Sequence, residues 1–189
     1  MINTTAFEMT LRVAAADDVR CVAALGLQVF LDTYATQGIR DAIAREAMEA
    51  FSCEAISALI ACPSTLLTLA ESDGHLIGFA QVALRAKHEM IDSKHAAELQ
   101  RLYIQERFTG RGVGPRLLGA VERRAARGGA SLLWATVWAG NERALGFYPR
   151  QDYQFIGSPM FVFQSEAHEN RLFAKMLNGD GPDNTRQES

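Results

Sequence analysis

The sequence predicts an α/β (α+β) domain built on a mixed β-sheet. Three observations predict it: helical periodicity fills the first third, two apolar runs flank a Ser-Asp-Gly turn at residues 72–74, and strand and helix patterns then alternate as strand–helix–strand–helix–strand. With 189 residues, 48% of them hydrophobic, the chain is long enough for one domain with a substantial core. We expect that domain over residues 1–177 and a disordered tail over the polar, glycine-bearing residues 178–189.

The elements follow in order. Met9 to Val13 reads as a first strand after a frayed start. Asp17 and Asp18 precede an apolar run from Val19 to Tyr34, with Val22, Leu25 and Val29 at helical spacing, and Gly38 ends it. Ile39 to Phe51 is a second helix, and Ser52 caps a short third one that closes near Pro63. Thr65–Ala70 and Leu76–Leu84 are hairpin strands, and Lys87–Lys94 is a loop. Glu98–Ile104 alternates, with Leu102 and Ile104 on one face and Leu99, Arg101 and Tyr103 on the other. A glycine-rich turn leads into a helix that Gly128-Gly129 stops near Arg127. Ser131–Trp138 is a strongly apolar strand and should pair in parallel with Glu98–Ile104 through a right-handed crossover. Asn141–Arg150 reads as a short helix, and Tyr153–Ile156, Met160–Gln164 and Leu172–Met176 as the last strands.

Charge narrows the partners. A net charge of -3 and a pI near 5.8 argue against a general nucleic-acid binder. Yet seven arginines lie between Arg101 and Arg127 against only Glu106 and Glu122. A local basic stretch in an acidic chain suits a small anionic ligand, although a solvated helix face accounts for Arg123, Arg124 and Arg127. Cys21, Cys53 and Cys62 lack metal-site spacing, and the helical setting of Cys21 and Cys53 predicts buried free thiols. The four histidines form no ligand pair, so no metal site is expected. No charged leader or membrane-length apolar run occurs, which points to a cytoplasmic protein without a membrane partner. A homodimer is compatible with this composition.

The stretch ERFTGRGVGPRLL, Glu106–Leu118, puts glycines at 110, 112 and 114. A P-loop would need a Gly-Lys-Ser/Thr ending, which is absent, and a dinucleotide fingerprint would need glycine where Pro115 or Leu117 stands. A strand end, a glycine turn exposing backbone N–H groups and a helix start make an anion site. Pro115 falls in the first helical turn, where a missing N–H costs little. A tight strand-to-helix turn with no ligand remains the plainer alternative. Further on, Asn141 and Tyr148 are seven residues apart, on one helix face and ~10.5 Å apart along its axis, with Ala144 and Leu145 between them. A phenol at the end of such a strip can protonate a leaving group. A tyrosine packed on the sheet is the commoner fate.

Together, ELQRLYI, FTGRGVG, LLWATVW and the N-x-x-A-x-x-F-Y of Asn141, Ala144, Phe147 and Tyr148 resemble the GNAT superfamily of N-acetyltransferases. The match spans about residues 65–177 in element order and is sharp over 98–153. ELQRLYI and the closing HENRLFAKML are similar to the PaiA-like bacterial branch, which acetylates spermidine and spermine.

The resemblance implies a splayed mixed central sheet with helices on both faces, and acetyl-CoA as donor. It implies that the backbone of Leu102, Tyr103 and Ile104 pairs with the pantetheine arm and that the turn Thr109, Gly110, Arg111, Gly112, Val113, Gly114 cradles the pyrophosphate. Asn141 would touch the cofactor arm and Tyr148 would protonate the departing thiolate. Glu98 stands where some branches carry a glutamate base. The chemistry is coherent: a protonated amine must lose a proton before it attacks a thioester, and a carboxylate can relay it. A backbone N–H near Ile104 is the candidate oxyanion donor. The chain departs from the family twice, with Thr109 where Gln or Arg is usual and Asp152-Tyr153 where Gly-Phe is usual. The first departure leaves the phosphate grip to the backbone, with Arg111 the nearest side chain to assist.

The acceptor expected is a small-molecule primary amine, with a polyamine in view. A polycation would call for acidic groups, and Asp32, Glu71, Asp73, Glu89 and Asp92 are the candidates. A peptide N-terminal acetyltransferase and a non-catalytic acyl-CoA sensor are the alternatives.

Overall fold

The computed structural model describes residues 7–163 and 166–177, so the expected tail lies outside the described residues. In chain order the elements are β1 Thr10–Val13, α1 Val19–Tyr34, α2 Asp41–Ala50, α3 Cys53–Ala61, β2 Thr65–Ser72, β3 His75–Leu84, β4 Ala96–Ile104, α4 Val113–Arg127, β5 Leu132–Trp138, α5 Glu142–Phe147, β6 Gln154–Gly157, β7 Met160–Phe163 and β8 Glu166–Met176. Short 3-10 turns cover Ala16–Asp18, Glu106–Phe108 and Tyr148–Gln151.

The sheet runs β1-β2-β3-β4-β5-β8-β6, with β7 also on β8. Among the described strands only β4 and β5 pair in parallel, joined across α4 as the apolar pattern predicts. Helices cover both faces, so the central strands are apolar on both sides rather than strictly alternating. On one face α4 buries Leu117, Leu118 and Val121 against Ile77, Val82 and Leu133. On the other, Val22 and Leu25 of α1, Phe51 at the end of α2 and Ile56 of α3 meet Leu69 and Phe79.

Local chemistry fixes the element ends. Ser52 Oγ accepts the Ala55 N–H at 3.1 Å and caps α3 as expected. Asp18 instead accepts the Ala15 N–H at 2.7 Å and takes both arms of the Arg12 guanidinium, which tie the start of α1 to β1. The β2–β3 turn turns on Asp73 and Gly74, both at positive φ.

Two expectations are corrected. Cys21 and Cys53 are exposed, not buried. Cys21 faces out beside buried Val22, and Cys53 opens α3 at its exposed first turn. The β4 alternation also breaks: Gln81 pairs with Arg101 but Val82 pairs with Leu99, so Gln100 is the extra residue of a bulge. One inserted residue flips the pleat. Leu99 therefore packs with Leu102 and Ile104 under α4, not with Tyr103, which faces α1 and α3.

Candidate active site

Past Glu98 the sheet opens. β4 and β5 pair only at Ala96↔Leu132, Ala97↔Leu133 and Glu98↔Trp134, although β4 continues to Ile104 and β5 to Trp138. Beyond that point no described strand bonds to the β5-facing edge of β4, and its N–H and C=O groups are left for a ligand. A cleft of about 820 Å³ fills the wedge. Leu102 and Ile104 form its β4 wall, and Trp138, Gly140 and Asn141 its β5 wall. Val29, Asp32, Thr33 and Thr36 of the α1 side close it from below.

The glycine turn makes one end. Thr109, Gly110, Gly112, Gly114 and Pro115 border the cleft. Gly110 and Gly112 have φ of +72° and +80°, and a Cβ at either would meet nothing within 4 Å. Glycine is therefore required there by backbone conformation, while the side that would carry a side chain is open to a ligand. The first-turn N–H groups of α4, from Val113 and Gly114, lack partners within the helix and add the positive end of its dipole. Gly114 serves a different need: a Cβ there would lie 3.3 Å from both Ile104 Cδ1 and Phe147 Cε2.

The side chains of this turn are used locally. Thr109 Oγ1 donates to the Glu106 carbonyl at 2.8 Å. The Arg111 guanidinium lies over Phe7 and Phe108, 5.6 and 5.7 Å from the ring centroids. It does not border the cleft, nor does the side chain of Val113, which is buried in the core. At the rim, Arg143 of α5 reaches across to Glu106 with a two-pronged ion pair of 2.5 and 2.8 Å, which holds Glu106 below the ordinary carboxylate range.

α5 and its 3-10 extension form the other end. Asn141 Oδ1 accepts the Ala144 N–H at 3.1 Å, so the residue caps α5 and its amide NH₂ is a donor at the cleft wall. Tyr148 is not on α5 proper but opens the 3-10 turn that follows. Its ring is only 6% exposed and packs on Phe173, Tyr153 and Phe147. It borders the cleft, and its hydroxyl makes no hydrogen bond among the described residues. Burial, and then the nearby Tyr34 phenol, push its pKa well above the ordinary tyrosine value. It therefore stays a proton donor at neutral pH.

Glu98 is not in this cleft. It borders a separate depression of about 430 Å³ with Gln81, Gln100 and Arg101, under Ala55 and Leu59 of α3. Burial raises its pKa, against the lowering effect of the Gln100 hydrogen bond and of His88. Tyr103 borders neither space with its side chain; its ring packs on Phe51 and Phe79, and only its backbone faces the wedge edge. Of the five acidic candidates for the acceptor side, only Asp32 borders the cleft. Glu71 is paired with Arg12, Asp73 sits in the β2–β3 turn, and Glu89 and Asp92 lie in the loop before β4. Sequence reasoning missed Trp138, Tyr34 and the Gln81–Arg101 contact. The aromatic pair had no motif to mark it, and the contact depends on the bulge.

A model of the acetyltransferase (GNAT) family matches residues 34–153. The chain belongs to the GNAT family. As a GNAT protein it is an acetyl-CoA-dependent N-acetyltransferase, and the wedge, the open glycine turn and the Asn141 amide fit that co-substrate. An N-acetyltransferase of Lactobacillus delbrueckii subsp. lactis is 24% identical over 155 residues, 82% of this chain and 89% of that protein. The spermine/spermidine N(1)-acetyltransferase of Bacillus subtilis (strain 168) is 28% identical over 86 residues, 45% of this chain and 57% of that one. The PaiA N-acetyltransferase of Thermoplasma acidophilum, solved with coenzyme A, shares the fold at a TM-score of 0.70 and 21% identity over 89% of this GNAT chain and 99% of that one. No group of three or more His, Cys, Asp or Glu among the described residues is arranged to hold a metal ion. No helix there is long and apolar enough to cross a membrane.

Proposed function

We propose that this GNAT protein transfers the acetyl group of acetyl-CoA directly to a primary amine of a small molecule, with no covalent enzyme intermediate. The observation that carries this reading is the opening of β4 from β5 just past Glu98, which puts the free β4 edge, the glycine turn, Asn141 and Tyr148 around one cleft. The backbone of Leu102–Ile104 would hold the pantetheine arm as an added strand. The N–H groups from Gly110 to Gly114 would hold the pyrophosphate, and the Asn141 amide would donate to the arm. Arg111 contributes by its backbone, since its side chain is engaged with Phe7 and Phe108.

Glu98 would accept the proton of the incoming ammonium, directly or through water. Its raised pKa makes it a stronger base than an exposed carboxylate. Tyr148 would give its proton to the departing sulfur, and the larger share of the rate comes from holding amine and thioester together. Because the spermine/spermidine enzyme of Bacillus subtilis is among the relatives, polyamines belong in the substrate panel. The test is release of free thiol from acetyl-CoA with a panel of amines and peptides. Release with small amines supports the reading, and release with peptides alone replaces it by a peptide acetyltransferase. Binding of CoA without turnover of any amine would leave only a sensor.

A further inference from the structure

We propose that the acceptor amine also carries a carboxylate, which Arg101 binds in the depression beside the cleft; this rests on the acetyltransferase reading above. The depression is built on a polar row along the sheet. The Arg101 guanidinium donates to Gln81 Oε1. Gln81 Nε2 donates to Gln100 Oε1 at 2.6 Å, and Gln100 Nε2 donates to Glu98 Oε2 at 3.2 Å. A cation thus stands at one end of the row and a carboxyl at the other, with oriented amides between them.

The bulge at Gln100 is what makes this arrangement. Three residues apart on an unbroken strand, Glu98 and Arg101 would face opposite sides of the sheet. The extra residue turns both into the same depression.

Arg101 has no carboxylate counterion among the described residues. Its partners are neutral, Gln81, the Tyr103 hydroxyl and the Phe51 ring 4.8 Å from the guanidinium carbon, and no carboxylate among the described residues pairs with it. By contrast Arg12, Arg45, Arg143 and Arg171 each hold an Asp or Glu. A half-buried guanidinium bordering a cavity and held only by neutral amide, phenol and aromatic groups is matched by a carboxylate, which it can grip through two parallel hydrogen bonds. A polyamine would instead bring cationic groups against it, an unfavourable juxtaposition. The depression communicates with the reaction cleft through Tyr34. Arg101 acts electrostatically on the Tyr34 phenol, whose ring lies 6.0 Å from that of Trp138 in the cleft wall.

The test compares matched amines with and without a carboxylate: γ-aminobutyrate against butylamine, lysine against cadaverine, arginine against agmatine, with spermidine alongside. The readout is kcat/KM from thiol release. The carboxylate-bearing member should win by about tenfold or more in at least one pair. Arg101→Gln should collapse that ratio toward one, and Arg101→Lys should restore part of it. A thermal shift with CoA shows that each variant is folded, and the wild-type ratios decide alone if Arg101→Gln does not fold. Equal rates within every pair, preference for spermidine, or a ratio unchanged in Arg101→Gln overturns the inference while leaving the transferase reading intact. CoA binding with no acetylation of any amine removes both.

Discussion

Asp152 holds φ +64° and ψ 23°, in the left-handed region, at the position where the GNAT pattern carries glycine. Aspartate tolerates that conformation better than most residues but still pays for its Cβ. Asp152→Gly should therefore stabilise the chain by about 1 kcal/mol, read as a rise in Tm of roughly 2–4 °C; no rise would show that the turn is relaxed with aspartate in place. Glu98 gives a pH-dependent counterpart. Its folded pKa lies above the ordinary 4.5 because burial penalises the charge, so the folded chain holds that proton more tightly than the unfolded one. Stability is then lost as pH rises from the ordinary value through the raised one. Glu98→Gln should melt above wild type at about pH 8 and equal it at about pH 4, while kcat/KM falls by about a hundredfold if the carboxylate is the base. Tyr148→Phe should leave CoA binding unchanged and cut turnover near neutral pH, also by about a hundredfold; unchanged turnover removes Tyr148 from the acid role. That Asn141 and Tyr148 border one cleft was legible in the sequence because each is the end of a spaced motif. The orientation of Arg111 was not, because it depends on Phe7 and Phe108 closing around it.

At the scale of elements, the turn before α4 does its work through backbone conformation. Gly112 precedes the helix at φ +80° with open space where a side chain would begin. Gly112→Ala should cost about 1–2 kcal/mol of stability from conformational strain alone and weaken CoA binding in parallel, as seen by urea unfolding and calorimetric titration. Full retention of CoA affinity would show that these N–H groups do not form the cradle. The glycine turn, α4 and β5 were readable from periodicity and capping, since each is locally determined. β8 was half missed: its first residues, Glu166 to Arg171, are polar but for Ala167, and only pairing to β5 and β7 makes them a strand. The bulge in β4 was invisible for the same reason. It is a property of how β3 and β4 register, not of either run, and it decides which side Glu98 and Arg101 face.

Across the whole molecule, one parallel strand pair sets the function. A strand–helix–strand crossover obliges β4 and β5 to lie side by side, and the sequence carried that much. That they separate after three residue pairs depends on the twist and packing of both halves, α4 under one arm and β8 with α5 under the other. The open wedge leaves strand-edge backbone groups and apolar wall without a protein partner, so a ligand inserted there should act as missing sheet. CoA at about a hundred times its dissociation constant should then stabilise the fold by about 2.7 kcal/mol, a rise in Tm of roughly 5–10 °C for a chain of this size. Hydrogen exchange should slow most at residues 102–104 of β4 and 110–114 of the turn, beyond the slowing that global stabilisation gives, and least in α2 and α3, none of whose described residues borders the cleft. Protection spread evenly over the chain would mean a general stabilisation without strand addition. Protection confined to α2 and α3 would place CoA in the Glu98–Arg101 depression and reverse the assignment of donor and acceptor sides.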